Sequence, residues 1–510
     1  MHRKINQALI ALLFLTTTKA LQDETTFPAN EETVFVNTMK PVNLVSEKYL
    51  SVAMNMGFVQ EHWKHFDFSS PRVFTLARGL SPAYLRFGGT AEDWLHYKEK
   101  DSFTENLDND DIPNLWNLSL KKVQHKNFTD YDINGDDLDK MHFIGSKAGW
   151  DVLFGLNVCL RTKDGKWDYS NPLKILDYVG GRNYSFVWEL GNEPNHLGKF
   201  NRSIDAESLG DAFNTLRSIL DKNPHYGDFI VGPDTTRPKK KSMNFLKRFL
   251  SVAVDAVDAI TWHQYYFDSK TCKVEDFYDP EIFDYLLKQL KLVNSVVSEA
   301  APNKRHWIGE TATAWGGGAA GLSSRYIATL SWLDKLGLAA RLGVEVVIRQ
   351  TFFHGDYALL DDQSNPVPNY WLSLLHKRLV GQKVLDVENG LEENRVVRIY
   401  AHCTNTKPGQ YATGAVTILA INLDPNDTAL LNLKGKFYQL PVDQYLLSPH
   451  QENITSEYVE LNGEVLLMKD DHILPSLNPV SVPAGKPLAL PPLTLGLFVV
   501  PNADAEACLE

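Results

Sequence analysis

Short apolar runs that end in polar residues or glycine recur along the first three quarters of the chain, and segments with helical periodicity lie between them. The runs predict eight β-strands, at 49–55, 84–90, 150–157, 186–190, 229–234, 259–266, 305–309 and 344–350. The periodic segments predict helices at 207–221, 242–255, 281–299, 323–340 and 369–380. Eight strands alternating with helices predict an α/β protein built on a (β/α)8 barrel. The competing architecture is a doubly wound open sheet, which no glycine-rich nucleotide fingerprint supports.

After residue 380 the pattern changes to short strands separated by turn residues. The predicted strands lie at 396–403, 415–422, 439–447, 464–468 and 493–500. A strand-like segment at 33–43 precedes the barrel and is expected to pair with this module. The predicted domains are an N-terminal segment at 21–48, a catalytic barrel at 49–383 and a C-terminal β-sandwich domain at 384–510, completed by one or more N-terminal strands.

Residues 98–145 interrupt the alternation of strands and helices with two acidic stretches and a few lysines. Insertions of this length in compact domains are usually lids, linkers or processing segments. The segment is therefore predicted to be an inserted linker or lid within the barrel. A solvated surface loop has the same composition and remains the alternative.

The first twenty residues have the composition of a secretory signal peptide. Arg3 and Lys4 precede an apolar core at 8–15, and Ala20 marks the expected cleavage point. The core is too short to span a bilayer, and no other stretch has the length of a transmembrane helix. We expect a secreted protein of the extracellular matrix, of lysosomes, or of both.

The bulk composition is that of a globular protein, with 510 residues and 44% hydrophobic content. The net charge of −12 argues against nucleic acid or another polyanion as a partner of the whole surface. Screening confines charge effects to about 8–10 Å at physiological salt. A local basic cluster can therefore still hold an anionic ligand.

The cysteines and the glycosylation sequons also fit a protein of the secretory pathway. Cys403 and Cys508 both lie in the C-terminal β-rich region and are predicted to form a disulfide, whereas Cys159 and Cys272 are left open between a second disulfide and two free thiols. Six Asn-X-Ser/Thr sequons predict a glycoprotein, at Asn117, Asn127, Asn183, Asn201, Asn426 and Asn453.

Two of the predicted strands end in a glutamate. Glu193 follows strand 186–190 through Gly191 and Asn192, and Glu310 follows strand 305–309. Their separation is about three βα units of 30–40 residues each. Because catalytic groups of a barrel sit at the C-terminal ends of its strands, the two carboxylates are expected on opposite sides of one mouth. That arrangement is the requirement for glycoside hydrolysis, with one carboxyl protonated and one ionised.

Arg86 lies inside the apolar strand 84–90, just before Gly88 and Gly89. A buried arginine must be paired with an acid, either for structure or within a site. Both readings stay open from the residues alone, although the position near the strand's C-terminal end favours the site.

The chain carries several long motifs, WELGNEPN at 188–195, GPD at 232–234, TWHQYY at 261–266, GET at 309–311, WLDKLGLAARLGVEVVIRQ at 332–350 and NYWLSLLHKRLVG at 369–381. With these motifs the chain resembles the heparanase family of retaining endo-β-glucuronidases, and it is also similar to the heparanase-like hyaluronidases of leeches. The resemblance implies a (β/α)8 barrel with a β-sandwich, Glu193 as general acid/base and Glu310 as nucleophile. An ionised Glu310 is then expected to raise the pKa of Glu193.

The resemblance also implies a set of substrate-binding positions, and neither a cofactor nor a metal. The positions are Asn55, Arg86, Thr90, Asn192, Arg237, Lys239, His263, Tyr265, Lys270, Trp315, Gly316, Gly317, Gln350, Gly355 and Tyr357. His263 has the residue type of a metal ligand, but a lone histidine on a strand more often belongs to a hydrogen-bond network.

The family divides over its substrate. Arg237 and Lys239 follow strand five and Lys270 follows strand six, so basic residues are expected at the mouth, which favours sulfated heparan sulfate over hyaluronan. We expect heparan sulfate or a related glycosaminoglycan as the partner, with membrane association through proteoglycans. Hyaluronan cleavage and a non-catalytic heparan sulfate-binding protein are the alternatives; the intact Glu193 and Glu310 motifs argue against the second.

Several residues depart from the vertebrate heparanase pattern. Asn55 stands in place of Asp, Lys239 and Lys270 in place of arginines, and Trp315 in place of Tyr. Lysine keeps the charge but loses bidentate recognition of sulfate. The segment between Lys100 and Lys121 is also shorter than the piece that vertebrate heparanases excise, which puts cleavage into two chains in doubt.

Overall fold

The structure, a computed structural model, describes residues 30–99, 129–388 and 390–509. The signal peptide predicted at 1–20 and the sequons at Asn117 and Asn127 lie outside these residues.

Eight parallel strands form the predicted barrel. In chain order they are Leu50–Asn55, Ala83–Gly88, Trp150–Leu156, Phe186–Leu190, Val231–Thr235, Ala259–Gln264, Arg305–Thr311 and Val344–Arg349. Hydrogen bonding runs from strand five through strands six, seven, eight, one, two and three to strand four. A bridge between Trp188 and Ile230, with a 2.9 Å bond from Trp188 N to Phe229 O, joins strand four to strand five. The (β/α)8 prediction is confirmed.

A helix follows each barrel strand and covers it from outside. These helices are Pro71–Gly79, Gly135–Ala148, Ser170–Gly181, Ala206–Lys222, Lys240–Ala253, Pro280–Ala300, Ala328–Arg341 and Pro368–Leu379. Their buried faces are apolar, as amphipathic helices on a barrel require. Inside the barrel a small cluster fills the end away from the catalytic mouth, with Ala53, Leu153, Val231, Ala259, Trp307, Val346 and Ile348.

The predicted insertion at 98–145 needs correction at its C-terminal end. Tyr131–Ile133 pairs with Leu95–Tyr97, and Gly135–Ala148 is the helix that follows barrel strand two. Residues 100–128 of the predicted insertion, with the first acidic stretch, lie outside the described residues. Of the second acidic stretch, Asp136 and Asp137 lie in the first turn of this helix, where Asn134 and Asp137 form a capping box. Leu138, Met141 and Ile144 then bury its apolar face at helical spacing.

Two sheets form the C-terminal β-sandwich. The larger contains Val380–Val387, Val397–Thr404, Val416–Asn422, Leu495–Val500, Val442–Pro449, Val459–Leu461 and Glu464–Val465, with Val480–Val482 beside it. The smaller contains Ala429–Leu433 and Leu488–Leu490. An apolar core lies between them.

The N-terminal segment completes both sheets. Asn30–Val34 pairs in parallel with Ala429–Leu433, and Val36–Asn37 and Asn43–Leu44 pair with Val380–Val387. The predicted completion of the sandwich by N-terminal strands is therefore confirmed. The boundary predicted at residue 383 falls inside a sandwich strand, because Val380 continues directly from the last barrel helix into the sheet.

A disulfide joins Cys403 to Cys508, with Cα atoms 5.4 Å apart, while Cys159 and Cys272 are half-buried free thiols. The described sequon residues Asn183, Asn201, Asn426 and Asn453 are exposed. Among the residues that the structure describes, no helix combines the length and apolar character needed to cross a bilayer.

Candidate active site

Glu193 is presented by a tight turn at the end of barrel strand four. Along this strand the side chain of Glu189 faces the barrel interior, and Gly191 and Glu193 then adopt left-handed backbone conformations with φ of 82° and 49°. Asn192 N donates to Asp93 Oδ2 at 3.2 Å, and Glu193 N donates to Asp234 O at 3.1 Å. The turn is therefore fixed by backbone bonds to neighbouring elements.

Glu310 reaches the same interior through an irregularity in strand seven. Trp307 belongs to the interior cluster, so strict alternation would point Glu310 towards the helices. The pairing with strand six shifts by one residue, so that Trp262 lies opposite Ile308 but His263 opposite Glu310. This bulge turns Glu310 inwards and Thr311 outwards. Glu310 is 12% exposed.

Arg86 connects Glu310 to the turn after strand four that carries Glu193. Its Nη1 donates to Glu310 Oε2 at 2.9 Å and its Nε to Glu189 Oε2 at 2.6 Å. Its Nη2 donates to Asn192 Oδ1 at 3.1 Å and to Asp234 Oδ2. Arg86 is therefore paired with acids, and one of them is Glu310, the glutamate predicted as nucleophile.

Close packing makes this placement of Arg86 possible. A Cβ atom on Gly88 would lie 2.5 Å from Arg86 Cζ, so the strand needs glycine there.

On the other side of Glu310, the Tyr265 hydroxyl donates to Oε1 at 2.6 Å. Both oxygens of Glu310 therefore accept a fixed hydrogen bond, which orients the carboxylate.

Glu193 is surrounded by nitrogen atoms. His263 Nδ1 lies 3.1 Å from its Oε1, and His196 Nδ1 and Lys199 Nζ lie 3.6 and 3.9 Å from its Oε2. Burial acts to raise the pKa of Glu193, but the contacts with His196, His263 and Lys199 lower it overall. The expectation that Glu193 has a raised pKa beside Glu310 is therefore wrong for the free site, because these contacts outweigh burial and lower the pKa of Glu193.

Asp234 links the supports of both glutamates. Its Oδ2 contacts Arg86 Nη2 and lies 2.8 Å from His263 Nε2. Burial acts to raise the pKa of Asp234, and Arg86 and His263 outweigh it and lower that pKa. A Cβ atom on Gly309 would lie 2.5 Å from Asp234 Oδ1, so glycine is needed before Glu310 as well.

Three further buried carboxyls surround this centre. Burial raises the pKa of Glu189 to about 8 against the opposing effect of Arg86, and raises the pKa of Asp93 to about 7. Burial likewise raises the pKa of Glu92, whose Oε2 lies 3.8 Å from Arg86. A raised pKa favours the neutral form of each of these carboxyls, so they compete less with Glu310 and Asp234 for the charge of Arg86.

The predicted basic positions meet at one rim of the mouth. The guanidinium of Arg237 lies 4.6 Å from the ring centroid of Trp315. The loop carrying Lys270 reaches the same residue, because Ser269 N donates to Trp315 O at 3.3 Å. Lys239 and Lys270 are both exposed. The rim thus carries Arg237 over the Trp315 ring and the Lys270 loop bonded to the same residue, with Lys239 two positions after Arg237.

The remaining predicted positions form two groups at the mouth. The first group contains Gln350, whose backbone N donates to Thr311 O at 2.8 Å and which also hydrogen-bonds the Tyr357 hydroxyl. The loops that carry Gly317 and Gly355 adjoin each other in the same group. Gly316 lies beside Ser269, in the Trp315 loop. In the other group, Asn55 lies against Gly89, directly before Thr90. His263 is 1% exposed, so it belongs to the network behind Glu193 rather than to the cleft surface.

Sequence reasoning missed several residues of the site, namely Asp234, Glu189, Glu92, Asp93, His196 and Lys199. Glu189 carried a usable signal, since a glutamate inside an apolar strand needs a buried cation just as Arg86 needs a buried acid. Asp234 was noted only as part of the GPD motif. Within the part of the chain that the structure describes, no group of three or more His, Cys, Asp or Glu side chains could hold a metal ion.

Comparison with known proteins agrees with this chemistry. A family model described as "Glycosyl hydrolase family 79, N-terminal domain" matches residues 59–337. Heparanase of Gallus gallus is 39% identical over 92% of this chain and 95% of its own. Inactive heparanase-2 of Homo sapiens is 36% identical over 93% of this chain and 89% of its own, and hyaluronoglucuronidase of Hirudo nipponia is 34% identical over 94% and 99%.

A solved structure shares the whole architecture. The 4-O-alpha-L-rhamnosyl-beta-D-glucuronidase of Fusarium oxysporum superposes with a TM-score of 0.66 at 19% identity, covering 93% of this chain and 99% of that one. At this identity the match speaks for the fold. The family model spans more than half of this chain and the relatives match nearly all of it; the chain therefore belongs to glycosyl hydrolase family 79 and is a heparanase-like glycoside hydrolase.

Proposed function

We propose that this enzyme is a retaining endo-β-glucuronidase that cleaves internal glucuronosyl linkages of heparan sulfate. The observation that carries the proposal is the unequal support of the two glutamates. Glu310 is held by Arg86 and Tyr265 at 2.9 and 2.6 Å, as a fixed carboxylate, whereas Glu193 contacts the imidazole of His263, a group that exchanges protons. These are the environments that a nucleophile and an acid/base need.

In the first step, Glu310 attacks the anomeric carbon of a glucuronate and Glu193 protonates the departing oxygen. Arg86 and Tyr265 fix the direction of attack, because each bonds one oxygen of Glu310. A covalent glycosyl ester on Glu310 results.

In the second step, Glu193 takes a proton from water, which attacks the ester and releases the sugar with its configuration retained. The low pKa of Glu193 in the free site matches its state at the start of this step, when it has given up its proton. Asn192, whose Oδ1 accepts from Arg86 Nη2 at 3.1 Å, is the proposed contact to the sugar between the two glutamates.

Heparan sulfate is favoured by the basic rim. Arg237 lies over Trp315, and the exposed Lys239 and Lys270 follow barrel strands five and six, so positive charge is concentrated locally on a protein of net charge −12. A sulfated chain lying across the rim would meet cations and an aromatic face. We also propose the earlier assignments of secretion, glycosylation and matrix or lysosomal location, with proteoglycans as membrane anchors.

Hyaluronan is the second candidate substrate. It is favoured by the 34% identity to hyaluronoglucuronidase of Hirudo nipponia and by lysines at 239 and 270, which bind sulfate less specifically than arginines. A non-catalytic binder, as the similarity to inactive heparanase-2 allows, would have no use for the fixed geometry around Glu310.

The test is incubation of the purified protein with heparan sulfate and, separately, with hyaluronan at acidic and neutral pH, with chain length followed by gel filtration. We expect heparan sulfate alone to shorten, and Glu193→Gln or Glu310→Gln to abolish shortening. Glu299→Gln, on the exposed outer surface, is the matched control and should leave activity unchanged. Shortening of hyaluronan alone would overturn the substrate, and shortening of neither would overturn the proposed activity.

A further inference from the structure

The imidazole of His263 lies between two carboxylates on the inner face of barrel strand six. Nδ1 is 3.1 Å from Glu193 Oε1, and Nε2 is 2.8 Å from Asp234 Oδ2. The side chains of His263 and Asp234 are each 1% exposed.

The protonation state of the ring follows from this geometry. A neutral imidazole has one N–H and one lone pair, so one carboxylate would face a lone pair at hydrogen-bond distance. Only the imidazolium presents an N–H to both sides. The contact with Asp234 has the distance of an ion pair but not the direction of a good hydrogen bond. Asp234 therefore stabilises the charged ring through its negative charge.

The other charges around the ring agree. Burial alone would lower the pKa of His263, but Asp234, Glu310 and Glu193 raise it well above its ordinary value. Glu189 faces the His263 ring from strand four. The positive charge of Arg86 is separated from the ring by Asp234. His196 and Lys199 contact Oε2 of Glu193, the oxygen that does not face the ring. On balance, carboxylates dominate the surroundings of His263.

We propose that Asp234 and His263 act as positioning residues that store the proton which Glu193 donates in catalysis. The proposal rests on the proposed function of Glu193 as acid/base. We call Asp234 and His263 the proton store.

The proton balance closes over one turnover. His263 Nδ1–H gives its proton to the Glu193 carboxylate, leaving neutral imidazole and carboxylic acid. Glu193 then passes that proton to the glycosidic oxygen as the bond to the leaving group breaks and the ester to Glu310 forms. In the second step Glu193 takes a proton from the attacking water, and returning it to His263 restores the imidazolium.

The proton store predicts a specific pH dependence. Glu193 and His263 share one proton and titrate as a pair, so the alkaline limb of kcat/KM reports loss of that shared proton. Asp234 stabilises the imidazolium of His263, and the alkaline limb of the kcat/KM profile therefore lies at a higher pH than it would without Asp234. Without the store, Glu193 must hold its own proton, and carboxylic acids lose theirs near pH 4–5 when unperturbed.

The experiment measures pH profiles of kcat/KM for Asp234→Asn, His263→Gln and the double variant on heparan sulfate oligosaccharides. We expect each single variant to move the alkaline limb to lower pH by about one unit or more, and the double variant to move it no further. Asp151→Asn, half-exposed at the opposite end of the barrel, is the matched control and should leave the profile unchanged.

A purely structural role for Asp234 would lower kcat without moving the limb, and would add to the effect of His263→Gln. Either result, or a limb that moves to higher pH, would overturn the proposal. Because Asp234 also contacts Arg86, the folding of Asp234→Asn is checked by its melting temperature, and His263→Gln keeps the test valid if Asp234→Asn unfolds.

A second measurement is independent of turnover. Nitrogen-15 NMR of histidine-labelled protein, with His263 assigned by its loss in His263→Gln, reports the ring's charge directly. We expect an imidazolium that persists well above pH 6.5 and titrates at lower pH in Asp234→Asn. A neutral His263 at pH 6 would overturn the proton store. If the wild type cleaves no polymer but the imidazolium is present, the proposed substrate fails while the charge state assigned to His263 stands.

Discussion

At the scale of single residues, the orientation of Glu310 depends on two groups that touch its two oxygens. Arg86 supplies charge as well as a bond, whereas Tyr265 supplies only a hydroxyl at 2.6 Å. Tyr265→Phe should therefore lower kcat by about 10- to 100-fold with little change in KM, because a single fixed hydrogen bond to a reacting group is worth about 1.5–3 kcal/mol. Steady-state kinetics on heparan sulfate oligosaccharides measure this split.

The neighbouring tyrosine provides the control. Tyr266 is equally buried, at 5% exposure, but its hydroxyl has no hydrogen-bond partner among residues 30–99, 129–388 and 390–509. Its ring contacts Lys335 Nζ at 4.6 Å, a contact that phenylalanine keeps. Tyr266→Phe should leave kcat unchanged. A larger loss in Tyr266→Phe than in Tyr265→Phe would contradict this account of Glu310.

The sequence could identify residues whose chemistry and strand position agree. Glu193 and Glu310 each end an apolar run, and Arg86 is a charge inside one, so all three were predicted. Asp234 and His263 could not be assigned their roles, because their partners Arg86 and Glu193 come from two other strands and the contacts depend on side-chain direction after a turn. The lowered pKa of Glu193 could not be predicted for the same reason, since His263 meets Glu193 only in the fold and the turn decides whether His196, three residues along, points at it.

At the scale of elements, the bulge in strand seven decides which way Glu310 points. The shift occurs at Gly309, whose missing side chain makes room for Asp234. In Gly309→Ala the new Cβ would lie 2.5 Å from Asp234 Oδ1 and 3.2 Å from Thr261 Cβ. We expect kcat to fall by at least about tenfold, because overpacking by one methyl costs about 1–3 kcal/mol and displaces the supports of Glu310.

Activity and melting temperature of Gly309→Ala test this directly. The control is Gly198→Ala, in the 3₁₀ helix Pro194–Phe200 that follows Glu193, because a Cβ at Gly198 meets nothing within 4 Å. Gly198→Ala should behave as wild type. Full activity in Gly309→Ala would show that the bulge does not need glycine.

Elements whose hydrophobic residues recur with a strong period were predicted with accurate bounds, and elements with a weak hydrophobic period were not. Strand Phe186–Leu190 has the predicted bounds, and helix Pro280–Ala300 differs by one residue at each end. The helix Gly135–Ala148 was read as part of an insertion because its acidic first turn outweighed its apolar spacing. Ala429–Leu433 and Leu488–Leu490 went unrecognised, since five- and three-residue strands gain their stability from long-range pairing.

At the scale of the whole molecule, a buried ionic cluster joins the sandwich to the barrel. Arg398 of sandwich strand Val397–Thr404 donates to Asp284 at 2.7 Å and lies 3.5 Å from Asp334, and Tyr400 donates to Asp334 at 2.7 Å. The two aspartates lie on the helices that follow barrel strands six and seven. Arg398 is thus the cation that both of them need.

Arg398→Met should destabilise the protein by about 3–5 kcal/mol, because removing one partner leaves buried charge uncompensated. Urea titration of the purified variant measures the loss. Lys288→Met, which removes an exposed pair with Glu393 at 3.7 Å, is the control and should change stability by less than about 0.5 kcal/mol. Equal stabilities of the two variants would mean that the cluster does not hold the domains together.

The central claim is that Glu310 forms a covalent bond with a glucuronate. The most direct measurement is incubation with a 2-deoxy-2-fluoro-β-glucuronide that carries a good leaving group, followed by peptic digestion and mass spectrometry. The account predicts one added uronosyl group on the peptide that contains Glu310, and none in Glu310→Gln. A label on another carboxylate, or turnover of the reagent with inversion and no label, would contradict it.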